Sequence, residues 1–156
     1  MTSEAPPHRL PPEGVDLHFP FDTGCVGCSP TNPIGLRLVF RREGNSITGE
    51  YQPAEHFRGG PGAVHGGILA LMLDEYSCAA GFFLTGRIFV TGSLNIRYER
   101  PTHLGLPLAV RAQIMDATHP KYSVIDASVS HLGTLLATST GRFFPVDAPS
   151  SVSSPA

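Results

Sequence analysis

The longest pattern in the chain is an almost unbroken run of apolar and small residues from Gly66 to about Phe83, with no proline inside it. Its length predicts a helix of about five turns. Leu69, Leu73, Tyr76 and Ala80 share one face, and Ile68, Met72, Ala79 and Phe83 share the next. A helix apolar over so much of its circumference is expected to be wrapped by other structure. Around it the pattern changes to period two. Leu36, Leu38 and Phe40 alternate with Arg37, Val39 and Arg41; after a turn at Glu43-Gly44-Asn45, Ile47, Gly49 and Tyr51 alternate with Thr48, Glu50 and Gln52. This predicts a hairpin. Beyond the helix, Leu94, Ile96 and Tyr98 alternate with Ser93, Asn95 and Arg97. Three more strands follow over Leu108–Ile114, Ile125–Val129 and Leu135–Phe144. Short connections favour antiparallel pairing, so the expected class is α+β, one helix against one antiparallel sheet in the order β-β-α-β-β-β-β. The edges and outer face of such a sheet invite a second copy, which predicts a homodimer or a dimer of dimers, a homotetramer.

Composition narrows this only slightly. The 156 residues suit one domain, and a net charge of -2 without a basic run gives no nucleic-acid footprint. The first ten residues lack an apolar signal core. No stretch is read as long enough to span a membrane, so no membrane partner and a cytoplasmic location are expected. Residues 1–20 are rich in proline and charge and are expected to form a disordered arm. The domain is placed at 21–146, and the Ser/Pro/Ala-rich residues 147–156 are expected to be a disordered tail.

The chemistry concentrates at the helix. Asp74 and Glu75 stand in the middle of the apolar run, where an unpaired carboxylate is costly and is therefore usually paired, protonated or functional. Neighbours on a helix point about 100° apart, so the two acids are not expected to face one substrate. Gly66-Gly67 exposes backbone N–H groups at the helix start, the end that favours negative charge. Cys25-x-x-Cys28 could be half of a zinc site or a redox couple, but no further cysteine or close histidine pair completes four ligands. His56 and His65 could in principle be recruited from afar, but the pair is read as a tight structural loop, with no metal and no cofactor expected. The glycine-rich stretch Gly59-Gly60-Pro61-Gly62 could cradle phosphate but matches neither the P-loop nor the dinucleotide pattern, and a close turn steering the chain into the helix accounts for it at least as well.

Taken together, these motifs resemble the PaaI-like acyl-CoA thioesterase branch of the hotdog-fold superfamily. Cys25-x-x-Cys28 with Asn32-Pro33-x-Gly35-Leu36 is similar to its N-terminal signature. Pro61-Gly62-x-x-His65-Gly66-Gly67 with Leu73-Asp74-Glu75 is similar to its central motif, and Asn95-Ile96-x-Tyr98-x-x-Pro101 to its third strand. The resemblance covers roughly residues 24 to 145. It implies a curved sheet of about six strands around the central helix and a dimer with active sites at its interface. The implied substrate is an acyl thioester of coenzyme A or of an acyl carrier protein. It further implies that the Gly66 N–H polarises the thioester carbonyl, that Asp74 is the acid across the interface, and that His65 supports the loop. Gly67, Thr91 and Cys78 fall at substrate-side positions, with Glu75 the alternative acid. One departure is Gly59, where many relatives carry Asn or Gln; His56 or Arg58 could substitute from the same loop.

Chemically, hydrolysis of a thioester needs an oxyanion donor and a nucleophile or base. Asp74 could attack directly or deprotonate water. In the blander reading Asp74 is a paired interface carboxylate, and Thr91 and Cys78 are a strand residue and a small helix residue. Two other functions stay open: a hotdog dehydratase or hydratase, and a non-catalytic acyl-thioester binder. Met72, Tyr76, Phe82, Phe83 and Phe89 are candidates for the acyl pocket. Arg87, Arg97, Arg100 and Lys121 are either contacts for coenzyme A phosphates or solvated strand-end charges.

Overall fold

The period-two segments become six strands in the computed structural model, which describes residues 7–148. β1 (Arg41–Glu43) and β2 (Ser46–Tyr51) form a hairpin, followed by α1 (Gly66–Thr85). β3 (Ile88–Tyr98), β4 (Leu108–Asp116), β5 (Ser123–His131) and β6 (Thr134–Val146) complete the domain. All pairings are antiparallel, in the spatial order β1-β2-β4-β5-β6-β3. The α+β expectation and the element order hold. The curved sheet wraps one long helix, which is the hotdog architecture.

The register explains how the helix fits. Ile47, Ala112, Ala127, Ser139 and Ile96 stand side by side across five strands. The central three are small and buried, and this lets α1 settle close to the sheet. Leu69, Met72, Leu73, Tyr76, Ala79, Ala80 and Phe83 cover that row from the helix side. By length and composition alone α1 could cross a membrane, which corrects the expectation that no stretch reaches that size. Half of the relevant window is buried inside this domain, as befits its core helix.

Two departures concern the N-terminal half. The first predicted strand shrinks to Arg41–Glu43. Leu36, Leu38 and Phe40 are buried as their alternation requires, but they pair elsewhere. The N–H groups of Leu36 and Leu38 donate to the carbonyls of Val26 and Gly27, and Phe40 exchanges hydrogen bonds with Leu17. Arg37, with φ 54°, sits in the left-handed region and breaks the strand there. Second, the described part of the expected N-terminal arm, residues 7–20, is docked on the domain. Leu17 is buried beside Phe40, and the Phe19 ring stacks on Phe83 with centroids 5.2 Å apart. These two apolar side chains anchor a stretch otherwise rich in proline and charge. Residues 1–6 of the arm, and 149–156 of the expected tail, lie outside the described residues.

Candidate functional site

The start of α1 is built by its own sequence. His65 has extended backbone angles and caps the helix, its Nδ1 accepting the Gly67 N–H at 2.8 Å. Because Nδ1 accepts, the neutral ring carries its proton on Nε2. Gly67 N–H is thereby occupied, whereas the Gly66 N–H has no acceptor among the described residues. The Gly66 carbonyl accepts the Tyr98 hydroxyl at 2.9 Å. That contact ties the end of β3 to the helix start. Sequence reasoning placed Tyr98 on the inward side of β3 but gave it no part in the site.

Gly59 belongs to the same corner. Its N–H donates to the Ala63 carbonyl, and a Cβ there would come within 2.8 Å of the His65 Cα. The backbone of His65 therefore fills the space that an Asn or Gln side chain would need to leave this position. Arg58 pairs with Glu55, and the His56 ring lies against Phe57 with centroids 4.2 Å apart. Both side chains are engaged within the loop.

Two turns along the helix the carboxylates diverge as helical geometry demands. Asp74 accepts a hydrogen bond of 2.5 Å from the Thr91 hydroxyl, and Cys78, one turn further along the same face, has its sulfur 3.7 Å from the Thr91 oxygen. Thr91 reaches inward because of a β-bulge between Thr91 and Ser93. Without it, Thr91 would share the outward face with Ser93, Asn95 and Arg97; the extra residue resets the alternation. At the bulge, Gly92 backs onto Phe144, whose ring would be 2.2 Å from any Cβ. Burial, followed by the charge of Asp74, pushes the Cys78 thiol up to about 12, so it stays protonated at neutral pH.

Glu75 faces the N-terminal loop. Its Oε1 accepts the Cys25 thiol at 3.1 Å, and burial, then the Glu75 charge, raises the neighbouring Cys28 thiol as well. The structure thus brings Asp74, Thr91 and Cys78 together, and separately His65, Gly66, Gly67 and Tyr98. Along the helix these clusters are about 12 Å apart, eight residues at the helical rise. Of the expected pocket residues, Met72 and Tyr76 are fully buried in the core, and Phe83 and Phe89 nearly so. Phe82 instead lines a cavity of about 510 Å³ with Phe21, Ile88 and Val146 at the far end of the helix.

The family model of the thioesterase superfamily matches residues 61–119, from the glycine-rich loop through β4. An acyl-coenzyme A thioesterase of Bos taurus is 30% identical over 101 residues, which is 62% of this chain and 40% of that protein. The chain spans no more than 40% of the length of the curated relatives it matches. Among solved structures, a thioesterase superfamily protein superposes with a TM-score of 0.71 at 25% identity, covering 77% of this chain and 59% of that one. A phenylacetic acid degradation-related protein from Ralstonia eutropha JMP134 gives 0.65 at 26% identity, covering 74% and 89%. In its sheet, its helix and its central motif, the chain is thus similar to the hotdog-fold proteins of the thioesterase superfamily.

Proposed function

We propose that the protein hydrolyses an acyl thioester of coenzyme A, or of an acyl carrier protein, to a carboxylic acid and a thiol. The observation that carries this reading is the pairing of an unengaged Gly66 N–H at the helix start with an Asp74 carboxylate held by Thr91. The relatives add weight, since the matched Bos taurus protein is named an acyl-coenzyme A thioesterase.

In this mechanism the thioester carbonyl oxygen accepts the Gly66 N–H, which stabilises the oxyanion as the carbonyl carbon becomes tetrahedral. Asp74 takes a proton from water, and the hydroxide attacks that carbon; the C–S bond then breaks and the thiolate leaves with the proton. Alternatively the carboxylate attacks first, expelling the thiolate, and water cleaves the mixed anhydride. Thr91 donates to Oδ1 of Asp74 and leaves Oδ2 for the reaction. One carbonyl cannot reach two groups about 12 Å apart along one helix, so the working site combines Gly66 of one copy with Asp74 of another. The commitment of His65 Nδ1 to Gly67 supports a supporting role rather than acid–base work on an acyl chain, and so favours hydrolysis over hydration.

The test is free-thiol release from a panel of acyl-coenzyme A esters by the wild type and by Asp74→Asn, which preserves shape and removes charge. The expected result is turnover by the wild type and a loss of roughly 10²-fold or more in the variant. Equal turnover by both would remove Asp74 from the mechanism. Binding without turnover by either would leave an acyl-thioester binder.

A further inference from the structure

Glu75 is the carboxylate that the proposed hydrolysis does not use, yet it lies in the middle of the core helix. Among the described residues no Lys, Arg or His forms an ion pair with it. Instead it points at the Cys-x-x-Cys loop. One ligand atom each from Cys25, Cys28 and Glu75 lies within 4.8 Å of the others. The loop is shaped around this acid. Gly27 is buried between the two cysteines, and a Cβ on it would stand 2.3 Å from Cγ of Glu75. The Gly27 N–H donates to the Cys25 sulfur at 3.3 Å.

The loop is also held from outside. Val26 and Gly27 offer their carbonyls to Leu36 and Leu38, and the Ser29 N–H donates to the Cys25 carbonyl. Asp22 accepts from Ser29, Thr31 and the Gly24 N–H, closing the far side. Three potentially anionic groups are thus gathered at a half-buried place, with no ion pair to a cationic side chain among the described residues. Burying like charges together is unfavourable unless they remain protonated or a cation joins them.

We infer that Cys25, Cys28 and Glu75 form a metal site for a borderline-soft divalent ion, Zn(II), with the fourth position open to water or an exogenous ligand. Two thiolates and a carboxylate are a donor set this ion accepts, and tetrahedral coordination with Zn–S near 2.3 Å puts two sulfurs about 3.8 Å apart. The two sulfurs, no more than 4.8 Å apart, need to close by about an ångström at most, and the Cys25 sulfur needs to draw back slightly from the Glu75 oxygen at 3.1 Å. Metal binding displaces the protons of both thiols, including the one Cys25 donates to Glu75. The third ligand was invisible to cysteine spacing because it comes from the helix, far along the chain. His56 and His65 are not in the cluster.

This site stands apart from thioester hydrolysis, so its test does not depend on turnover. The reduced full chain, stripped with a chelator, is titrated anaerobically with Co(II) and then with Zn(II). A sulfur-to-cobalt charge-transfer band is expected, saturating at roughly one metal per chain and abolished by Zn(II). Cys28→Ser should eliminate the band, Glu75→Gln should weaken binding at least about tenfold, and Cys78→Ser should change neither. Absence of the band in the reduced wild type would overturn the assignment, as would equal affinity in Glu75→Gln or loss of the band in Cys78→Ser. Should Cys28→Ser fail to fold, the wild-type spectrum and the Glu75→Gln affinity still decide. A reduced chain that binds no metal and forms a Cys25–Cys28 disulfide in air would assign the pair to redox chemistry instead.

Discussion

At the scale of single residues, the site depends on one short hydrogen bond. Thr91 touches Asp74 and Cys78, and in the proposed mechanism it positions the carboxylate without meeting the reacting atoms. Thr91→Ala should therefore lower kcat by roughly tenfold to a hundredfold while leaving KM nearly unchanged, since orientation of a general base is lost and acyl binding is not. Thr91→Ser, which keeps the hydroxyl, should restore most of the rate; a serine variant as slow as the alanine one would assign the methyl group, and hence packing, as the cause. Asp74 and Glu75 stood out in the sequence because acids in an apolar helix need a reason, and their divergence followed from 100° per residue. Periodicity ties neither acid to its partner: Thr91 is reached through the family resemblance, and Cys25 through the Cys-x-x-Cys spacing without its link to Glu75. Thr91 and Cys25 come from segments distant along the chain, and only the register of β3 and the path of the N-terminal loop bring them to the helix.

The same limit operates on whole elements. Alternation at Leu36, Leu38 and Phe40 states which side is buried, and that side is buried. It does not state which strand supplies the hydrogen bonds, and the left-handed Arg37 sends them to Val26, Gly27 and Leu17 rather than to β2. The bulge in β3 is likewise hidden, because Gly92 between Thr91 and Ser93 reads as an ordinary strand glycine. Where α1 meets β2, contact is close enough to test: Tyr76 donates its hydroxyl to the Val39 carbonyl at 2.8 Å directly over Gly49. A Cβ on Gly49 would lie 2.0 Å from that hydroxyl and 2.5 Å from that carbonyl. Gly49→Ala is expected to destabilise the domain by about 2–3 kcal/mol in denaturant titration, since neither the buried ring nor the backbone can retreat.

The loop around Cys25 carries a pH dependence of its own. Hydrogen bonds from Ser29, then Thr31 and the Gly24 N–H, hold the Asp22 carboxyl below its ordinary value of 3.8. A lowered folded value means that the unfolded chain takes up the proton first. The contribution of Asp22 is therefore complete above the ordinary carboxylate range and fades as pH falls through the lowered folded value. Amide exchange in residues 22–31 should lose protection on that acid limb, after correction for the intrinsic exchange rate. Asp22→Asn, which cannot titrate, should flatten the change. An unchanged acid limb in that variant would assign the loosening to another group.

For the whole molecule, the decisive feature is the free side of β3. This eleven-residue strand closes one end of the sheet, pairs with β6 alone among the described residues, and exposes Thr91, Ser93, Asn95, Arg97 and Tyr98. Long edge strands are normally shortened, covered or guarded by charge and proline, and here Arg97 is the one charged residue in the strand. The same strand carries Thr91 to Asp74 and Tyr98 to Gly66, so whatever pairs with its free side lies beside both halves of the proposed site. A second copy joined antiparallel along β3 satisfies the open backbone groups and offers a route by which Gly66 and Asp74 of different chains serve one carbonyl. Light scattering at micromolar concentration should then report a dimer or a multiple of it. Ser93→Lys combined with Asn95→Lys places like charges against their own copies across the paired edges. The double variant should shift the population toward monomer and lose thioester hydrolysis in parallel, with its far-ultraviolet circular dichroism retained. Asp74→Asn should lose hydrolysis alone and stay assembled. A wild-type monomer that turns over acyl thioesters would break the argument at its root, since one helix would then have to bring its N-terminal donor and its mid-helix acid to the same atom.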